Sequence, residues 1–205
     1  MINLNVLNGA ATILHYHQVL LTGKFKKDLI GVEMGIAYGG GVEQLGYFWK
    51  GIGKVYGFDT FEGHPDTLVK EKYSFEARCM DYWYSPDMYG TKALSYDFQR
   101  HVLDTQQLDN VTLVKGLVNK DSCKDIDHIN YALLDMDIAV SMKAGFEAVY
   151  PKLVKGAMLF IHDAVPANHI PSVHNWWFDE IMKNYKDLEP IGEWPEQFLL
   201  GVEKK

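Results

Sequence analysis

Apolar and polar positions along the chain follow two rhythms. Compact apolar runs, Leu29 to Val32, Val55 to Phe58, Val111 to Val114, Asn130 to Leu134 and Ala157 to Ile161, are too short for helices and do not alternate. Such runs suit strands buried on both faces. Between them apolar residues recur at helical spacing, over about Gly41 to Lys50, Leu94 to Thr105, Ser141 to Leu153 and Val173 to Tyr185. A leading helix is expected from Ala10 to Leu21, over the sheet or at its mouth, broken by Thr22-Gly23 and the basic Lys24 to Lys27. Strands alternating with helices predict an α/β, doubly wound, mainly parallel sheet covered on both faces. The ending Phe198 to Val202 reads as an antiparallel edge strand paired with one near Leu188 to Ile191.

Between His64 and Tyr96 the pattern breaks into prolines, a glycine and the aromatics Tyr73, Phe75, Tyr82, Trp83, Tyr84 and Tyr89. A long irregular segment inside a domain is usually a lid or binding loop, so residues 64–96 are expected to be a substrate-loop insertion. The 205 residues fit one domain, with residues 1–28 as a helical segment ahead of the sheet. A formal charge of −7 argues against a nucleic-acid binder, which needs clustered Lys and Arg. Only two cysteines, no apolar run long enough to span a membrane, and a start without a positive leader region point to a cytoplasmic protein. Trp176-Trp177-Phe178 reads as core or dimer contact, which leaves a homodimer open.

The chemistry begins at Glu33-Met34-Gly35-Ile36-Ala37-Tyr38-Gly39-Gly40-Gly41, which follows the first strand and is answered by Asp59 at the end of the second. A strand, a glycine turn opening a helix and a strand ending in a carboxylate form half of a nucleotide-binding sheet. A dinucleotide fingerprint has glycine where this chain has Glu33, and a carboxylate there would repel a pyrophosphate. It would attract an ammonium and a sulfonium, the charges of S-adenosylmethionine. In that reading Glu33, Gly35, Gly39 and Gly40 cradle the cofactor, Asp59 accepts both ribose hydroxyls, Thr60 and Phe61 follow beside it, and Gly116-Leu117 closes over the base. Further strands end in Asp135 with Asp137, and in His162-Asp163. Ligands of such sheets sit beyond the carboxyl ends of the strands, so these groups converge on one site.

These blocks resemble the class I S-adenosylmethionine-dependent methyltransferases, and within them the macrocin O-methyltransferase family that modifies sugar hydroxyls. The matches are Val32-Glu33-Met34-Gly35 with Gly39-Gly40, Gly57 to Gly63, Val114-Lys115-Gly116, Leu134 to Asp137, Leu153 to Gly156, and His162-Asp163. The resemblance implies a Rossmann-like, seven-stranded methyltransferase sheet. It also implies a divalent metal, magnesium or manganese, on Asp135, His162 and Asp163, with Asp135 also beside the cofactor. Asp137 and His162 become the candidate catalytic bases. The family's paired acids after strand five are His162-Asp163 here, and its loop arginine is Tyr38. The expected partner is a small-molecule acceptor, such as a sugar. The rival readings are a D-x-D glycosyltransferase built on Asp135 and Asp137, and a non-catalytic cofactor-binding subunit.

Overall fold

The computed structural model describes residues 17, 18, 20–63 and 94–205. Most of the expected lid, residues 64–93, and most of the leading helix lie outside the described residues. At positions 17, 18 and 20–24 the chain is helical, so that helix runs through Gly23 instead of stopping at it. Its Leu21 is fully buried on the sheet, and His17 packs against the rings of Phe160 and Trp194.

The strands are β1 (Leu29–Met34), β2 (Gly53–Asp59), β3 (Val111–Lys115), β4 (Ile129–Leu134), β5 (Leu153–His162), β6 (Leu188–Trp194) and β7 (Leu199–Lys204). They form a seven-stranded sheet in the order β3-β2-β1-β4-β5-β7-β6. The first five are mutually parallel, and β7 runs antiparallel to both β5 and β6. The expected closing pair therefore exists, with β6 taking the rim and β7 lying inside it. Burial explains the choice: Leu199 to Val202 of β7 are all buried, whereas β6 exposes Glu189 and Glu193 and carries Pro190, which has no N–H to give.

Two apolar layers clamp the sheet. On one face Val32, Met34 and Leu134 pack against helix α3 (Ala139–Val149) through Met142 and Phe146, and against Trp177. On the other, Leu29, Val55 and Tyr131 meet helix α1 (Gly40–Trp49) through Leu45 and Trp49. Gly31 permits that approach, because a Cβ there would stand 2.7 Å from Leu45 and 2.8 Å from Trp49. Helix α2 (Tyr96–Thr105) lies beyond α1, its first turn capped by the Ser95 hydroxyl, which accepts from the Phe98 amide at 3.3 Å.

Two boundaries differ from the pattern. Leu153 to Gly156, expected as a helix end and turn, open β5 instead. A tight turn at Tyr150–Lys152 with Pro151 inside it ends α3 early, and the left-handed Gly156 accompanies a register shift against β4 that breaks the apolar run. The last helix is not continuous: α4 (Pro171–Asn175) widens into a π turn over Trp176–Ile181 before Met182–Asn184. A wider turn lets two successive indoles face the core, and both Trp176 and Trp177 are buried. Among the described residues no helix is long and apolar enough to cross a membrane.

Candidate functional site

Strand order reverses between β1 and β4, and beyond their carboxyl ends lies the main cleft, which β2 and β3 also border. Gly35 makes the reversal compact. Its φ is +85°, its amide donates to Phe58 O at 2.9 Å, and a Cβ would stand 1.8 Å from the Asp135 carbonyl. No other residue fits. Asp59 then gathers the loop: Oδ2 accepts from the Ile36 and Ala37 amides at 3.0 and 3.1 Å, and Oδ1 accepts from the Phe61 amide at 2.8 Å. This carboxylate is thus the organiser of the glycine turn, and its remaining acceptor capacity suits one hydroxyl better than the two of a ribose diol. Thr60 turns its hydroxyl to Gly63 O at 2.7 Å, and the Gly116 amide donates to Asp59 O at 2.9 Å.

The cleft brings together Gly35, Asp59, Thr60, Phe61, Gly116, Asp135 and Asp137 of the expected residues, with Leu117 beside Gly116. Sequence reasoning missed Leu94, Val118, Met136 and Ser141, which also line it; Val118 and Met136 are apolar residues outside the periodic runs, Leu94 stands at the very start of one, and Ser141 is a small polar residue in the first turn of α3. The lining mixes apolar residues, Leu94, Leu117, Val118 and Met136, with the polar Asp59, Asp135, Asp137 and Ser141. Gly39 and Gly40 begin α1 away from this lining, Gly39 facing Gln99. The Gln99 amide donates to Ala37 O and ties the loop to α2. Glu62, next along the chain after Phe61, points outward to an ion pair with Lys115 at 2.6 Å.

Glu33 lies beneath the loop, 6% exposed, so close to α1 that a Cβ on Gly41 would meet its carboxyl oxygens at 2.3 and 2.4 Å. Burial, and then the charges of Asp135 and Asp59, push its carboxyl up to about 8. In the ligand-free chain it is therefore largely protonated at neutral pH, and a cation in the cleft would favour its charged form. Left-handed backbone at Ala37, Phe61, Asp137 and Asp163, none of them glycine, marks the same end of the sheet. Strain of that kind persists only where the surroundings impose it.

Asp135, His162 and Asp163 converge next to the cleft, with one ligand atom from each within 4.8 Å of the others. His162 Nδ1 lies 3.0 Å from Asp135 Oδ1 and 3.1 Å from Asp163 Oδ1, yet makes a well-directed hydrogen bond to neither. Burial alone would lower the imidazole's pKa; the Asp135 carboxylate, followed by Asp163, more than offsets it and holds it at about 11. Asp163 is 2% exposed and its Oδ2 is buried without a hydrogen-bond partner. Cis ligands about 2.1 Å from an octahedral cation stand about 3.0 Å apart, the spacing of His162 Nδ1 and Asp135 Oδ1, so a divalent metal that displaced the imidazolium proton would fit these two, with the unsatisfied Asp163 Oδ2 as third donor. Asp137 stays outside this triad, in the cleft wall.

One more residue belongs here. His169, to which the sequence assigned no role, reaches Asp163 Oδ1 with Nε2 at 3.0 Å and stacks on Phe198 at 3.7 Å between ring centroids.

With this geometry in hand, comparison with solved structures is decisive for the fold. The O-methyltransferase NovP superposes with a TM-score of 0.71 at 16% identity, covering 95% of this chain and 80% of its own. The calicheamicin methyltransferase CalS11 gives 0.70 at 17% identity, covering 98% and 82%. The chain has the class I methyltransferase fold. SMU.1697c of Streptococcus mutans, solved with S-adenosylhomocysteine, follows at 0.56 and 14% identity, covering 94% and 97%. The class I methyltransferase fold is shared here without close sequence kinship: the sequence matches no family model and no curated protein. The seven-stranded sheet is as the resemblance implied.

Proposed function

We propose that this chain is an S-adenosylmethionine-dependent methyltransferase that transfers the methyl to a hydroxyl of a sugar or small metabolite. The observation that carries the reading is the Asp59-organised glycine loop bordering a cleft lined by both apolar residues and carboxylates. Leu94, Leu117, Val118 and Met136 suit the flat base of a nucleoside, Asp59 a ribose hydroxyl, and Glu33 with Asp135 the cationic end of the donor. The neighbours NovP, an O-methyltransferase, and CalS11, in one structure a TDP-rhamnose 3'-O-methyltransferase, support an oxygen acceptor and favour a sugar. A D-x-D glycosyltransferase loses ground because the carboxylates Asp59 and Asp135 line the cleft where a diphosphate would sit.

The methyl donor arrives already activated, so the protein's work is alignment, proton removal and exclusion of water. Asp137 is the proton acceptor in this reading, since it faces the cleft and stands apart from the Asp135, His162 and Asp163 group. A divalent cation held by those three would lower the pKa of the acceptor hydroxyl and orient it. Asp135 borders both the cleft and the triad, so in this reading one carboxylate would face the donor and the metal that holds the acceptor.

Calorimetry with S-adenosylhomocysteine tests the assignment. Micromolar affinity is expected, about −8 kcal/mol. Asp59→Ala should weaken it at least tenfold, because the variant loses a ribose partner and leaves the Ile36, Ala37 and Phe61 amides without their acceptor, at a cost of about 1.5–3 kcal/mol. Affinity unchanged in that variant would sink the assignment.

A further inference from the structure

We propose that His169 is the positioning residue for Asp163, donating its Nε2–H to Oδ1 while the Phe198 ring clamps the imidazole, so that Oδ2 is left to the site. This rests on the methyltransferase reading above and adds a part to it. Asp163 is almost wholly buried and its backbone is in the left-handed region at φ 63°, so its carboxylate is not steered by solvent. Its amide donates to Phe198 O at 2.6 Å, which anchors the backbone but leaves the side-chain torsion undecided. Two nitrogens approach the same oxygen, Oδ1: His162 Nδ1 at 3.1 Å and His169 Nε2 at 3.0 Å. Oδ2 has none. A carboxylate held by one oxygen keeps the other available for a cation or an acceptor hydroxyl.

His169 itself is well fixed. Its ring is parallel to Phe198 within 14°, and Phe198, at φ 54° in the turn before β7, also sets its ring edge-on to His162, 6.2 Å between centroids. The loop from β5 to α4 is tied at both ends: the His169 amide donates to Pro166 O at 3.0 Å, and His174 Nδ1 meets Ala164 O at 2.7 Å. Ala164, Val165 and Ile170 are buried, so the segment carrying His169 is anchored in the core on both sides of the exposed Ala167 and Asn168. One aromatic residue from the β6–β7 turn thus braces the imidazoles on either side of Asp163. Outer groups that orient metal ligands typically contribute about 10–100-fold in metal affinity.

Mn2+ titrated into the full chain in the presence of S-adenosylhomocysteine, followed by the paramagnetic resonance of free Mn2+, reads the effect directly. His169→Ala should weaken Mn2+ binding about 10–100-fold. The calorimetric affinity for S-adenosylhomocysteine should stay nearly the same, and thermal unfolding should show that the variant is folded. His169→Gln, whose side-chain amide can donate towards Oδ1, should recover most of the loss. Equal Mn2+ affinity in wild type and His169→Ala overturns the proposal. If the wild type binds S-adenosylhomocysteine but no Mn2+, the metal part of the functional reading fails on its own, and imidazole 15N spectra decide the role of His169. A protonated Nε2 with its hydrogen shifted downfield supports the proposal; an Nδ1–H tautomer with bare Nε2 overturns it.

Discussion

Glu33 shows how one side chain couples the fold to its site. Its carboxyl titrates near 8 in the folded chain against 4.5 for an ordinary glutamate, so between those values the folded state holds a proton that the unfolded state has released. Folding stability therefore falls as pH rises from about 4.5 to 8 and levels off above that, on the order of a few kcal/mol. Glu33→Gln should flatten this slope, with the variant gaining on the wild type progressively up to pH 8. Urea unfolding of the ligand-free chain at several pH values checks it; parallel curves would mean Glu33 is already charged. The sequence marked Glu33 and Asp59 as functional carboxylates, but their division of labour was not legible. Which amides Asp59 collects, and how deeply Glu33 is buried, depend on α1 closing over the loop.

At the scale of elements, two adjacent glycines in α1 separate helix propensity from packing. A Cβ on Gly40 meets nothing within 4 Å, while one on Gly41 would collide with the Glu33 carboxyl. Gly40→Ala should stabilise the chain by about 0.4–1 kcal/mol through the unfolded state. Gly41→Ala should destabilise it despite the same gain, because both Glu33 oxygens must shift. Denaturant midpoints of the two variants measure the contrast, and equal stabilisation by both would show Glu33 free to move aside. The five parallel strands were readable because each is a short apolar run, and a buried strand needs nothing else. The start of β5 and the break in α4 were not. Leu153 to Gly156 become strand only because Ile129 offers Leu153 a partner, and the π turn exists to bury both Trp176 and Trp177.

For the whole molecule the test is the cation. Asp135 comes from the end of β4, and His162 and Asp163 from the end of β5, so the triad exists only when the parallel pair is in register. If a metal works there, excess chelator should abolish methyl transfer, and an imidazole among two carboxylates should favour manganese over magnesium in restoring it. Undiminished transfer in chelator would make these groups proton acceptors instead. The sequence by itself determined the α/β class, the order of strands and helices, and the acids at the strand ends, because burial pattern and glycine turns are local properties. Only the tertiary structure decided which of those acids share a point. It joined His169 and Phe198 to Asp163 across a loop and a turn, turned Glu62 outward and drew Asp59 onto the glycine loop, because side-chain direction and contacts between distant segments are fixed by packing, which no local spacing encodes.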